Sequence, residues 1–281
     1  MTVYDALAAL AAGNPEQARQ LLDHPAPRHP LLRAALAKYL DGDASKSVYD
    51  QPAAFEAFID GGGNVPLYQA VSAALADQYR THGVKSLVDI GCGSGKALVP
   101  ALAETPVPAV TLVEPSQALL DKALARLGDQ QVTVAATTGA AFVAGLDARF
   151  DLGESTFALH TMPHEDRSDF LAALRPHVGR FVVIEFDVAE ECPEDRRRTL
   201  ADTFERGIAE YGDDRDLVAQ GFLMPVLTGQ LEPGAKRNTY EQPMRTWVEQ
   251  FTACGYQDVR AETLIDYWAA PSFVLTALSK A

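Results

Sequence analysis

From residue 84 onward the chain alternates strand-like segments with segments of helical period, and this alternation restricts the fold more than any other feature. The strand candidates are "KSLVDI" (85–90), "AVTLVEP" (109–115), "QVTVAA" (131–136), "FDLGESTFALH" (150–160) and "RFVVIEFDV" (180–188), with stretches such as "SQALLDKALARL" between them. A strand that rejoins its sheet through a helix runs parallel to its predecessor, and the helices cover the faces. The pattern predicts an α/β fold with a doubly wound, mostly parallel sheet. Before it, Tyr4–Leu40 is Ala/Leu-rich at helical spacing and is broken by "HPAPRHP" (24–30), which predicts two helices. Residues 1–80 are expected to form a helical lobe and lid, with the hinge "GGGNVPLY", and residues 81–281 the sheet domain, with an insertion at 190–245. Pro193 is expected to open a helix whose Arg196–Arg198 triplet is a solvated face. A last helix, "PMRTWVEQFTACG", capped by Gly255, precedes the strand signals "YQDVRAETLIDYW" and "SFVLTALSK".

Charge narrows the partners. A formal net charge of −14 repels phosphate backbones and anionic headgroups, so neither nucleic acid nor a membrane surface is expected. The opening "MTVYDALAALAAGNPEQ" lacks a basic leader, and no apolar stretch approaches the roughly 20 residues that cross a bilayer. Three scattered cysteines, Cys92, Cys192 and Cys254, suggest no disulfide framework and no metal knuckle, in keeping with a reducing cytoplasm.

The first strand runs into "VDIGCGSGK" (88–96). As a phosphate loop this fails, because Ile90 stands where the first glycine belongs and Ala97 follows Lys96. As a dinucleotide fingerprint it fails in both registers, with Lys96 or Leu98 in place of the third glycine. What remains is Asp89, Gly91, Cys92, Gly93 and Gly95 in a turn, with Glu114 and Pro115 at the end of the next strand. Glycines let backbone approach a ligand closely, and a carboxylate can accept two ribose hydroxyls.

This D-x-G-C-G-S-G turn and the later "LVEPS" (112–116) resemble the first two motifs of class I S-adenosylmethionine-dependent methyltransferases. The resemblance spans residues 84–281. It implies a Rossmann-like sheet with an antiparallel C-terminal strand, S-adenosyl-L-methionine as cofactor, and adenine contacts near Thr138, Gly139 and Ala140. "FDLGESTFALH" is similar to the family segment beside the sulfonium, where Glu154 departs from the usual small or apolar residue.

Methyl transfer needs positioning and the handling of one proton. Glu185, a carboxylate in an otherwise apolar strand, and His160 are the candidates for that proton, with His164 and Asp187 as alternatives. Tyr49, Phe55, Tyr240, Trp247, Tyr267 and Trp268 are expected to line an aromatic pocket. The layout resembles actinobacterial natural-product methyltransferases, including those acting on indole C3. The acceptor expected is therefore a small aromatic molecule methylated at carbon, in secondary metabolism. Oxygen or nitrogen methylation is the nearest rival, and prenyl diphosphate methylation is disfavoured by the lack of an acidic metal motif near Lys236, Arg237 and Arg245. A non-catalytic binding module and a nicotinamide-dependent reductase are the readings from other classes. A homodimer is admitted as an assembly.

Overall fold

The computed structural model describes residues 2–25, 27–42, 52–231, 233–234 and 239–279. Tyr49, Lys236 and Arg237 lie outside the described residues. In chain order the helices are α1 (Val3–Ala11), α2 (Pro15–Leu21), α3 (Pro30–Asp41), α4 (Pro52–Asp60), α5 (Asn64–His82), α6 (Leu98–Glu104), α7 (Gln117–Leu127), α8 (Gly139–Ala144), α9 (His164–Leu174), α10 (Pro193–Ala209), α11 (Arg215–Val218), α12 (Met224–Leu231) and α13 (Met244–Ala253). The strands are β1 (Ser86–Ile90), β2 (Ala109–Val113), β3 (Thr133–Ala135), β4 (Phe150–Thr156), β5 (Val178–Phe186), β6 (Gln257–Ile265) and β7 (Ser272–Leu278). The chain forms two compact units. One comprises Met1–Pro66, Glu190–Arg237 and Tyr267–Ala270, the other Leu67–Ala189, Asn238–Asp266 and Pro271–Ala281.

The second unit holds a seven-stranded sheet in the order β3-β2-β1-β4-β5-β7-β6. β1 to β5 pair in parallel, and β7 inserts antiparallel between β5 and β6. Central strands are covered on both faces, so Leu87–Ile90 and Phe181–Glu185 are buried at every position and apolar except for the carboxylates Asp89 and Glu185. Phe181 stacks on Phe251 of α13 and on Tyr256, which joins the helix to the sheet through rings. Gly255, at φ +87°, ends α13 with two hydrogen bonds, Tyr256 N to Phe251 O and its own N to Thr252 O, closing the helix in a Schellman turn. Ser116 caps α7 by accepting from Leu119 N.

The first unit is helical. Gly13, at φ +77°, ends α1 and Pro15 opens α2, so the N-terminal stretch makes three helices where the sequence pattern predicts two. α10 starts at Pro193 and packs against α1 and α3. Arg198 pairs with Glu194 and Asp195 on its exposed side. A π-helical turn at Ala219–Leu223 joins α11 to α12. Tyr267 and Trp268 lie beyond the end of β6 and outside any strand. Among the described residues, no helix is long and apolar enough to cross a membrane.

Candidate active site

Behind β1, the turn uses three left-handed glycines, Gly91 at φ +73°, Gly93 at +54° and Gly95 at +71°. Gly91 and Cys92 both donate their N–H to Val113 O, at 2.8 and 3.2 Å, tying the turn to the end of β2. A Cβ on residue 91 would lie 2.5 Å from the Ala158 Cβ, whereas one on residue 93 would meet nothing within 4 Å. Glu114 fixes its carboxylate against the same turn. Its Oε2 accepts from Gly93 N at 3.1 Å and its Oε1 from Ser116 N at 3.0 Å, which leaves a lone pair on each oxygen. Pro115 spans these two bonds and is exposed.

Asp89 is only 5% exposed. Burial first, and the neighbouring Glu114 charge second, push its carboxyl up to about 7, with no cation among the described residues to offset them. Burial first, and the Asp89 and Glu114 charges next, hold the Cys92 thiol far above its usual value, which disfavours the thiolate. Thr138 caps α8 by accepting from Ala141 N. Gly139 is buried, and a Cβ there would lie 2.9 Å from Ile90 Cγ2, so this glycine lets α8 close on β1. Ala140 is exposed.

The ends of β4 and β5 carry the proton-handling candidates. His160 sits in a single 3-10 turn, Leu159–Thr161, beyond the last residue of β4. Its Nδ1 lies 2.8 Å from Glu185 Oε2, and its backbone N donates to Glu185 Oε1 at 3.1 Å. Glu185 is 1% exposed, so both of its oxygens are satisfied by the one residue. A carboxylate oxygen at this distance accepts from an Nδ1–H, the tautomer in which Nε2 keeps the basic lone pair. Burial pulls the His160 imidazole down, but the charge and hydrogen bond of Glu185 outweigh it, and the net shift is upward. Asp187 serves elsewhere, accepting from Met244 N at 2.7 Å and anchoring the start of α13. His164 is the first residue of α9.

Residues 87–180 match the sequence profile of a family described as "Methyltransferase domain". Among solved structures, the chain is similar to magnesium protoporphyrin IX methyltransferase from Synechocystis PCC 6803 with bound SAH (TM-score 0.52, 15% identity, 90% of this chain and 96% of that one). It is also similar to human N-acetylserotonin methyltransferase in complex with SAM (0.50, 12%, 89% and 56%). A third is PigF with SAH (0.50, 17%, 87% and 69%). The sheet unit has the fold of a class I methyltransferase. At these identities the structures carry the fold alone. No curated protein sequence matches the chain.

Within this methyltransferase fold, Glu154 stands out. It is fully buried on β4 beside Asp89 of β1, and the Tyr79 hydroxyl lies 2.8 and 2.7 Å from its two oxygens. Burial and then the Asp89 charge push Glu154 well above the usual carboxylate range, against the bond from Tyr79. A neutral acid suits this geometry, because the hydroxyl can donate to one oxygen while accepting from the protonated other. Arg167 is likewise fully buried. It donates to Leu159 O, Tyr240 O and Gln250 Oε1, and its guanidinium lies 4.0 Å from the Trp247 ring centroid.

The expected aromatic pocket residues are divided between the units. Trp247 is fully buried in the sheet unit against Arg167 and Phe273, so it packs the core. Tyr240 belongs to that unit and donates its N–H to His160 O at 2.6 Å. Phe55, Tyr267 and Trp268 belong to the helical unit. Phe55 is 42% exposed and tilts against Phe222. Tyr267 OH donates to Asn64 Oδ1, and Trp268 lies flat on Gly207, where a Cβ would come within 2.7 Å of the indole.

Sequence reasoning passed over Phe157 and Phe186. Phe157 has φ +50°, unusual for an aromatic residue, and stacks on Phe186 at 4.5 Å with planes 10° apart. Tyr68 meets the Phe157 ring edge-on at 6.0 Å. The strand ends at Thr156, not at residue 160, because this left-handed residue turns the chain out of the sheet.

Proposed function

We propose that the chain is an S-adenosylmethionine-dependent methyltransferase acting on a small heteroaromatic molecule, at a carbon such as indole C3, in cytoplasmic secondary metabolism. The observation that carries this is the His160–Glu185 pair on the ends of β4 and β5, in the sheet whose β1 end bears the glycine turn. Ligands of open parallel sheets bind at the carboxyl ends of the strands.

The residues fit the cofactor. Gly93 faces open space, Glu114 retains acceptor capacity for two hydroxyls, and Asp89 is a buried acid without an offsetting cation, suited to an ammonium. When bound, the sulfonium supplies an electrophilic methyl group. His160 then takes the acceptor's proton on Nε2, and Glu185 holds the ring in the required tautomer and stabilises the imidazolium formed. Carbon, nitrogen and oxygen acceptors each release one proton, so the same pair serves all three. The preference for carbon rests on the sequence resemblance.

Calorimetric titration with S-adenosylmethionine and S-adenosylhomocysteine, followed by methyl transfer to indoles and phenols read by mass spectrometry and NMR, tests the reading. Saturable binding and a C-methylated indole are expected. Absence of binding of either compound overturns it, binding without transfer to any acceptor marks a non-catalytic module, and an O- or N-methylated product moves the site of attack.

A further inference from the structure

Two ring-bearing residues stand on the same strand ends as the proton-handling pair, with Phe186 projecting to the sheet face opposite Glu185. Phe157 lies three residues before His160 beyond β4, and Phe186 directly follows Glu185 on β5. Their rings stack at 4.5 Å and 10°, Tyr68 closes edge-on against Phe157, and all three side chains are only partly buried. Phe157 holds this place in a strained backbone conformation. At φ +50° its Cβ is crowded in a way that glycine would avoid, and its N–H is still committed to Ile184 O at 2.9 Å. A residue needed only to turn the chain there would be better served by Gly or Asn, so the strain is retained for the ring.

We infer that Phe157, backed by Phe186, is the specificity-determining wall of the acceptor site, a stacking face that selects a flat aromatic substrate. This rests on the methyltransferase reading and deepens it. Aromatic rings gain from offset stacking, and the pair stands at the carboxyl ends of β4 and β5, where parallel sheets of this kind take their ligands. A saturated ring of similar size has no such partner and is discriminated against.

The test uses Phe157→Gly, which relieves the strain while removing the ring. Protein saturated with S-adenosylhomocysteine is titrated with indole, 1-naphthol and cyclohexanol, and thermal melting is followed in parallel. Wild type is expected to bind the two planar probes saturably and cyclohexanol at least tenfold more weakly. Phe157→Gly is expected to melt no lower than wild type, to keep its S-adenosylhomocysteine affinity, and to lose tenfold or more in affinity for the planar probes. Phe157→Tyr restores it. Undiminished planar-probe binding by Phe157→Gly, or no preference of wild type for the planar probes, overturns the wall. A failure of wild type to bind S-adenosylhomocysteine instead overturns the underlying function, so the two failures are read separately.

Discussion

The turns after β1 and after β4 solve the same geometrical problem in opposite ways. Both put a residue into left-handed backbone, Gly91 at φ +73° and Phe157 at φ +50°. The first removes side chains, so a ligand can approach backbone, while the second keeps a large ring and bears the strain. The contrast shows that one side of the sheet edge is shaped by what is missing and the other by what is displayed.

The comparison can be broken most severely at its chemical end. His160→Ala should lower kcat about 100- to 10,000-fold while leaving cofactor affinity unchanged, as measured by turnover and calorimetry. In Glu185→Gln the largest influence that raises the His160 pKa is gone, while burial and the Arg167 charge still lower it against the smaller opposing charge of Glu241. The base must be unprotonated to act, so the acid limb of the kcat profile should move to lower pH, with a smaller loss of rate.

On the glycine side, Gly91→Ala combines a contact of 2.5 Å with Ala158 and a left-handed alanine. It should cost about 2–4 kcal/mol in denaturant unfolding. Asp89 supplies a pH effect. The native carboxyl holds its proton to about 7 while an unfolded aspartate releases it near pH 4, so between these values the native state binds more protons and stability falls as pH rises. Unliganded wild type should melt lower at pH 7.5 than at pH 5, and Asp89→Asn should flatten that slope. Gly93→Ala is the mildest change, with backbone strain of about 1 kcal/mol because a Cβ there meets nothing. If a ligand occupies that space, S-adenosylhomocysteine affinity should drop more than stability does.

Much of this was legible in the residues. β1, β2 and β5 announce themselves through largely apolar runs because they are covered on both faces, and the left-handed turn after β1 is visible because only glycine adopts it freely. The break at "GNP" carries the same kind of signal, though the longer Ala/Leu periodicity around it masks the division into α1 and α2. Trp247 illustrates the limit: composition marks an aromatic side chain but not whether it faces a cavity or Arg167 in the core. Phe157 was illegible for a deeper reason. Nothing local favours positive φ at phenylalanine, and only the pairing of its N–H with Ile184 and its ring with Phe186 sets that conformation. Glu185 was conspicuous as a charge in an apolar strand, yet its partner could be identified only once β4 and β5 were seen side by side.

Ala158 carries a consequence for both loops at once. Its methyl occupies the volume vacated at position 91, so the two crossings interlock like tongue and slot. Trimming that methyl to hydrogen would free room for an alanine opposite, leaving only the torsional part of the penalty. Any side chain larger than hydrogen at 91 must therefore displace the segment after β4, so the sequences of the two turns constrain each other.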